Sequence, residues 1–479
     1  MHTPYFPPWR SRLAACGRRV RHRRCAAEIE NEFARVFPHG LLDRAASGAG
    51  SRERVFGRKT TFWCFLWQVL QPRTSCRAVV RKMQAERETQ RQRIDDSSAA
   101  YCLARARLPL TLLEGAVRHS AEFADRMARH EIPGWGRPVK VVDATSFQTP
   151  DTRANRRRYH YPKGQKKGCG FPVVRALAIF SLAGGAIHHV ITAACYTAEL
   201  VMLKPLWSSL RSGDILLGDR AYGCFPLLAA LPLRGVDVIA RLHQARQVDL
   251  RTAEKLGPDE WLTTWRKAYT VPPYLTPKEW KALPETIRVR IIRSSLNTKG
   301  FRTRTVWIVT TLTDAERYPA DAIIQLYLRR WQMELSFRDV KTTLGMESLR
   351  CLSPQMIERE IRMFLIAHNC LRTLMAEAAT AHGVPRERIS FKGTMDTLRS
   401  FHPLMLHARS KRALNRLRSR CLEILAADLL PVRPGRSEPR AVKKRPKPYP
   451  FLTKHRRVFR EVPHRGNPPA CKRPQIILT

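Results

Sequence analysis

Carboxylates are what this chain has least of. Asp and Glu fill 40 of its 479 positions against 86 Lys and Arg, a formal net charge of +46. A surface that only keeps a protein soluble mixes both signs, so an excess this large calls for a polyanionic partner. The cations are spread along the whole chain and do not gather on one amphipathic helix, which favours nucleic acid over an anionic membrane. Long apolar runs are lacking too. Phe62–Leu70 and Leu177–Ala186 stop well below the roughly 18 residues that span a bilayer. The arginine-rich stretch Arg10–Arg24 leaves no room for the apolar core of a secretory signal. The expectation is therefore a cytoplasmic protein with no membrane partner. The 12 Cys stand singly with no Cys-x2-Cys pair, which excludes both a zinc-finger pattern and a disulfide framework. Gly164–Gly170 is not followed by the Gly-Lys-Ser/Thr of a phosphate-binding loop, so no nucleotide cofactor is expected.

What is present can fold. Hydrophobic residues make up 44% of the chain, with ten Trp, enough for at least one large core. Helical spacing dominates residues 1–135, expected as a DNA-binding domain; two helices around Ser75–Leu108 are compatible with a helix-turn-helix. From Val139 the period changes to short apolar runs. Val173–Phe180 and Ala186–Ala193 flank Gly184-Gly185 like hairpin arms, and Ile215–Leu217 and Val236–Leu242 alternate with short helices, the pattern of a mixed α/β sheet. Residues 136–245 and 305–385 are read as one catalytic domain, interrupted by an insertion at 246–304 with a strand near Arg288–Arg293. Pro319 opens a long helix, a second runs over Gln355–His382, helices continue through 386–430, and 431–479 form a basic, Pro-rich flexible tail.

Because acids are rare, two draw notice. Asp143 closes the apolar run Val139–Val142 and Asp219 closes Ile215–Gly218; on neighbouring strands they would lie close enough to share a divalent cation. The bland alternative for each is a turn former or helix cap. On a single helix turning about 100° per residue, Tyr327, Arg330, Glu334 and Lys341 fall within an arc of about 60°, beside an apolar stripe of Ala322, Leu326, Met333, Phe337 and Val340. One acid flanked by two cations and a phenol suits a metal and a phosphate together. The alternative is a solvated face with a Glu334–Arg338 surface pair. Arg156-Arg157-Arg158 and Lys163–Lys167, interleaved with Tyr159 and Tyr161, could grip DNA beside Asp143. His188-His189 reads as structural, since no third ligand stands at a suitable spacing.

The spacing Tyr-x2-Arg-x3-Glu-x6-Lys from Tyr327 to Lys341 resembles the signature of the IS4 family of bacterial insertion-sequence transposases. Val142-Asp143-Ala144-Thr145-Ser146-Phe147 and Leu217-Gly218-Asp219-Arg220-Ala221-Tyr222-Gly223 resemble that family's contexts for its two aspartates. The resemblance covers Val139–Arg350 and extends more loosely over Phe62–Leu108 and Arg440–Arg457. It implies a ribonuclease-H-like fold and a metal triad of Asp143, Asp219 and Glu334 binding Mg²⁺, for which Mn²⁺ may substitute. It also implies phosphate contacts from Tyr327, Arg330 and Lys341, and base stacking by Trp307, whose rival reading is a core strand residue. The implied enzyme binds double-stranded DNA, both its terminal inverted repeats and its target, and acts as a homodimer at the bacterial nucleoid. It cleaves and joins DNA by cut-and-paste, through a hairpin in the family's best-understood relatives. The rival classes are a ribonuclease-H-like nuclease without strand transfer and a catalytically dead DNA-binding descendant.

Overall fold

The computed structural model describes residues 27–43, 55–88, 94–128, 135–163, 170–243, 246, 250–295, 305–408, 410–431, 458–460 and 477–478. The arginine run at 10–24, most of the Lys163–Lys167 loop and nearly all of the tail lie outside them. Among the described residues five α-helices come first: α1 (Ala27–Phe33), α2 (Arg58–Leu70), α3 (Cys76–Glu88), α4 (Ala99–Arg107) and α5 (Leu110–Met127). After β1 (Val139–Gln148) come α6 (Arg153–Tyr159), β2 (Val173–Ser181), β3 (Ile187–Ala194), α7 (Glu199–Leu203), β4 (Ile215–Gly218), α8 (Phe225–Ala230) and β5 (Asp237–Arg241). Then follow β6 (Glu254–Gly257), β7 (Glu260–Arg266), α9 (Pro277–Lys281), β8 (Thr286–Ser295) and β9 (Thr305–Thr310). The remaining helices are α10 (Ala320–Leu328), α11 (Trp331–Arg338), α12 (Pro354–His382), α13 (Phe391–Leu406) and α14 (Lys411–Ala427).

β1 to β9 form one mixed sheet of order β3-β2-β1-β4-β5-β9-β8-β7-β6. The hairpin β2–β3 and its partner β1 are antiparallel, whereas β4 and β5 run parallel to β1. Gly185 takes φ +64° at the hairpin turn, a value L residues rarely adopt. Side chains alternate across the sheet. Val139, Val141, Ile215, Leu217, Ile239 and Ile308 enter one core with α10 to α12; Val142, Leu216, Val238, Ala240 and Val309 enter the other with α7 and α8.

The backboard of the first core is α12. Ser353 caps its start by accepting from Met356 N, and Gly383 at φ +64° ends it, the asymmetry helices favour. Asn369, fully buried on α12, satisfies both ends of its amide: Ile187 N donates to its Oδ1 at 2.8 Å, and its Nδ2 donates to Val117 O, Ser120 Oγ and Ile187 O. That one side chain ties α12 to α5 and β3.

Two sequence expectations need correction. The long helix from Pro319 is not continuous. It ends at Leu328, closes an i→i+3 bond from Arg330 N to Tyr327 O, restarts as α11, and widens into a π turn at Asp339–Thr343, where Leu344 N donates to Asp339 O. A constant 100° per residue therefore fails across this segment. Its path is set by tertiary bonds, because Gln148 N donates to Glu347 O and Leu349 N to Gln148 O, drawing the chain back onto β1. Nor does Asp143 end a strand. β1 continues to Gln148 because β2 pairs with its whole length, while the parallel neighbour β4 stops at Gly218. No helix among the described residues is long and apolar enough to cross a membrane.

Candidate active site

The register of β1 on β4 pairs Val141 with Leu217. Two residues further along stand Asp143, within β1, and Asp219, just past the end of β4, so both come from the same end of two neighbouring parallel strands, which lie about 4.8 Å apart. Both are half-buried. Asp143 Oδ1 accepts from Ala144 N at 2.9 Å and Asp219 Oδ1 from Ala221 N at 2.8 Å, so each carboxylate is steered by its own chain.

The motif residues converge on the same face. Tyr327 is 6% exposed, not solvent-facing as the single-helix reading has it. Burial pushes its phenol up, countered by the hydrogen bond and charge of Arg330 and by Arg241, while the nearby Asp219 carboxylate pushes it further up. The Arg330 guanidinium lies 5.8 Å from the Tyr327 ring centre. Lys341 sits on the π turn with its ammonium 5.4 Å from the Phe147 ring. Burial pulls its pKa down, and Glu347 and Asp143 pull back up. The phenol thus lies near Asp219, with the guanidinium beside it, and the ammonium near Asp143. Glu334 lies on α11, and its side chain is outside the described residues, as is that of Met333.

Trp307 is placed differently. Its neighbours Val306 and Ile308 belong to the first core, whereas Trp307 packs on the second, so its ring is on the reverse face from Asp143 and Asp219. It stacks on Trp261 at 5.9 Å between centroids, with the Arg293 guanidinium 5.7 Å from its centre. It remains at the edge where β5 ends, since Leu242 N donates to Trp307 O.

Residues without a role in the sequence reading also shape the site. Tyr222 is fully buried and donates to Glu199 Oε2 at 3.0 Å; burial, then Glu199, then Asp219 and Asp143 push its phenol up. A Cβ on Gly218 would lie 2.5 Å from Tyr222 Cβ, so the glycine before Asp219 is required by the tyrosine behind it. Arg372, buried on α12, donates to Ser336 Oγ at 3.1 Å and Asp339 Oδ2 at 3.0 Å, fastening α11 and the π turn from behind. Only the Tyr222 contact had a local signal, the Gly-Asp-x-x-Tyr spacing.

Among the described residues no three His, Cys, Asp or Glu side chains form a metal-binding group. Asp143 and Asp219 supply two of the hard oxygen donors that suit Mg²⁺ or Ca²⁺, with cations beyond them but no soft ligand between.

Residues 134–370 match the family described as the Transposase DDE domain. Over 425 residues, 86% of this chain and 92% of the relative, the sequence is 24% identical to Transposase InsG for insertion sequence element IS4 of Escherichia coli strain K12. Among solved structures, a piggyBac transposase synaptic complex with hairpin DNA is similar at a TM-score of 0.40 and 13% identity, over 86% of this chain and 85% of that one.

Proposed function

From a chain that belongs to the IS4-family DDE transposases, we propose a cut-and-paste enzyme. It binds its terminal inverted repeats as a homodimer, cleaves the phosphodiester at the element's end to free a 3′-OH, and joins that 3′-OH to target DNA. The observation that carries this reading is the parallel pairing of β1 with β4 up to Val141 and Leu217, two residues before Asp143 and Asp219. The order β3-β2-β1-β4-β5, with only β1, β4 and β5 parallel, is read as the ribonuclease-H-like core that the family implies.

Asp143 and Asp219, with Glu334, would hold divalent cations, with Mg²⁺ as the proposed ion. When bound, such ions make water nucleophilic at neutral pH and stabilise the leaving oxygen. The protein's own groups do the rest. Lys341 and Arg330 grip non-bridging phosphate oxygens, Arg330 by its planar fork and Lys341 as a point charge. Tyr327 donates a hydrogen bond, its phenol kept protonated by burial. Trp307 offers a half-exposed indole at the edge around which a base flipped out of the stack would turn. No side chain need act as nucleophile, because water and then the freed 3′-OH attack in line.

The test is cleavage and joining of a duplex carrying the element's end. Asp143→Asn, Asp219→Asn and Glu334→Gln should each abolish both steps in Mg²⁺ while end binding persists, because ligands of one constellation act as a unit. Normal cleavage by Glu334→Gln overturns the triad. Nicked DNA without joined product, from the unaltered protein, overturns the transposition chemistry.

A further inference from the structure

Beyond the far end of β1 lies the arginine run, and its surroundings are built with more care than a solvated loop needs. Thr152 Oγ1 accepts from Asn155 N at 3.2 Å and donates to Leu352 O at 2.8 Å, capping α6 and tying it to the segment before α12. Asn155 is buried and donates through Nδ2 to Pro150 O and Cys351 O. One turn on, Tyr159 is buried and its hydroxyl donates to Glu358 Oε1 at 3.3 Å. His160 then takes φ +63°, strained for any residue but Gly. Bonds from Val173 N to His160 O and from Cys195 N to Tyr159 O hold it there. Arg156 is drawn aside to Asp151 at 3.4 Å. What this anchoring leaves pointing outward is Arg153, Arg157 and Arg158, all exposed, and among the described residues no carboxylate forms an ion pair with them.

We propose that α6 is a preformed phosphate-binding platform for the DNA duplex on the side of the cut reached by β1, with Arg153, Arg157 and Arg158 as its contacts. The proposal rests on the transposase reading and adds to it an interface and a position. Asp143 and Gln148 are five residues apart on one strand, about 17 Å at 3.4 Å per residue. With one phosphate per 3.4 Å along each strand, contacts near the end of β1 fall about five or six nucleotides from the scissile phosphate. Partner choice follows from form. A short rigid row of guanidiniums suits the regular backbone of a duplex, each presenting a fork that matches phosphate oxygens, whereas binding to an anionic membrane would need apolar side chains beside them.

The experiment uses the full chain and a duplex cut from the element's terminal repeat, titrated over a range of salt. Combined Arg153→Ala, Arg157→Ala and Arg158→Ala should make the slope of log K against log salt shallower by about two to three. The matching Lys variant should keep the slope, and all versions should show the same melting curve. A single uncharged methylphosphonate about five or six nucleotides from the cut should weaken the unaltered protein and leave the Ala variant indifferent. An unchanged slope, or a methylphosphonate penalty that persists in the Ala variant, overturns the platform. Because binding is read without cutting, failure of cleavage in the unaltered protein would sink the transposition chemistry while leaving this result standing.

Discussion

Arg372 and Asp339 offer the sharpest energetic test, because the pair sits behind the site and away from the reacting atoms. Both are under 10% exposed, and Arg372 Nη2 lies 3.0 Å from Asp339 Oδ2. Burial pushes the guanidinium down to about 10 while Asp339 holds it up, so it stays cationic at neutral pH. Asp339→Leu leaves that cation buried without its carboxylate, beside the neutral Ser336 Oγ, His368 Nε2 and the Phe391 ring, and Arg372→Met deprives the buried Asp339 carboxylate of its ion-pair partner. Removing one partner of a buried pair costs about 3–5 kcal/mol, whereas replacing both with apolar groups of similar size is near neutral. The double variant should therefore be more stable than either single one, with a coupling energy of at least about 2 kcal/mol. Urea unfolding of the four proteins at neutral pH measures it. Each single variant should also cut slowly at temperatures where it remains folded, because the π turn carrying Lys341 loses its tether. Additivity within about 0.5 kcal/mol would refute the argument, since it would mean that the two charges do not depend on each other.

Two further outcomes follow from other parts of the chain. His402 is 3% exposed and burial pushes its imidazole down to about 3; the unfolded chain protonates near 6.5 and so binds a proton the folded chain refuses. His402 should then contribute a fall in stability as pH drops below 6.5, about 2 kcal/mol of it by about pH 5, beside the falls from the half-buried His189 and the buried His368. His402→Phe should make the total fall shallower by that amount in urea melts made at the two pH values. Trp307→Ala should leave first-strand nicking near normal and impair hairpin formation; a protein whose every step declines together with its melting temperature would mark Trp307 as packing against Trp261 and nothing more.

The sequence made some of this legible for local reasons. The apolar runs before Asp143 and Asp219, the Gly184-Gly185 turn and the stop at Gly383 each depend on neighbouring residues, and the structure has strands, turn and helix end there. The strand neighbours of Asp143 were not local, and the parallel pairing of β1 with β4 comes from chain segments 76 positions apart. The π turn at Asp339 is held by bonds to Gln148 and Arg372, which no window around Tyr327–Lys341 contains. Arithmetic at 100° per residue therefore placed Tyr327 on a polar face, although the core holds it.

β9 deserves a last consideration as a shared member. It hydrogen-bonds β5 on one side and β8 on the other, so β6 to β8 lengthen the sheet that carries Asp143 and Asp219 and do not bud from it as a separate lobe. A lobe joined by linkers can swivel, but one joined by an unbroken ladder has no hinge. Any movement of that extension toward DNA must come from twist spread over the whole sheet. Excising it would uncover the β9 edge, a row of unpaired backbone groups ready to capture another strand.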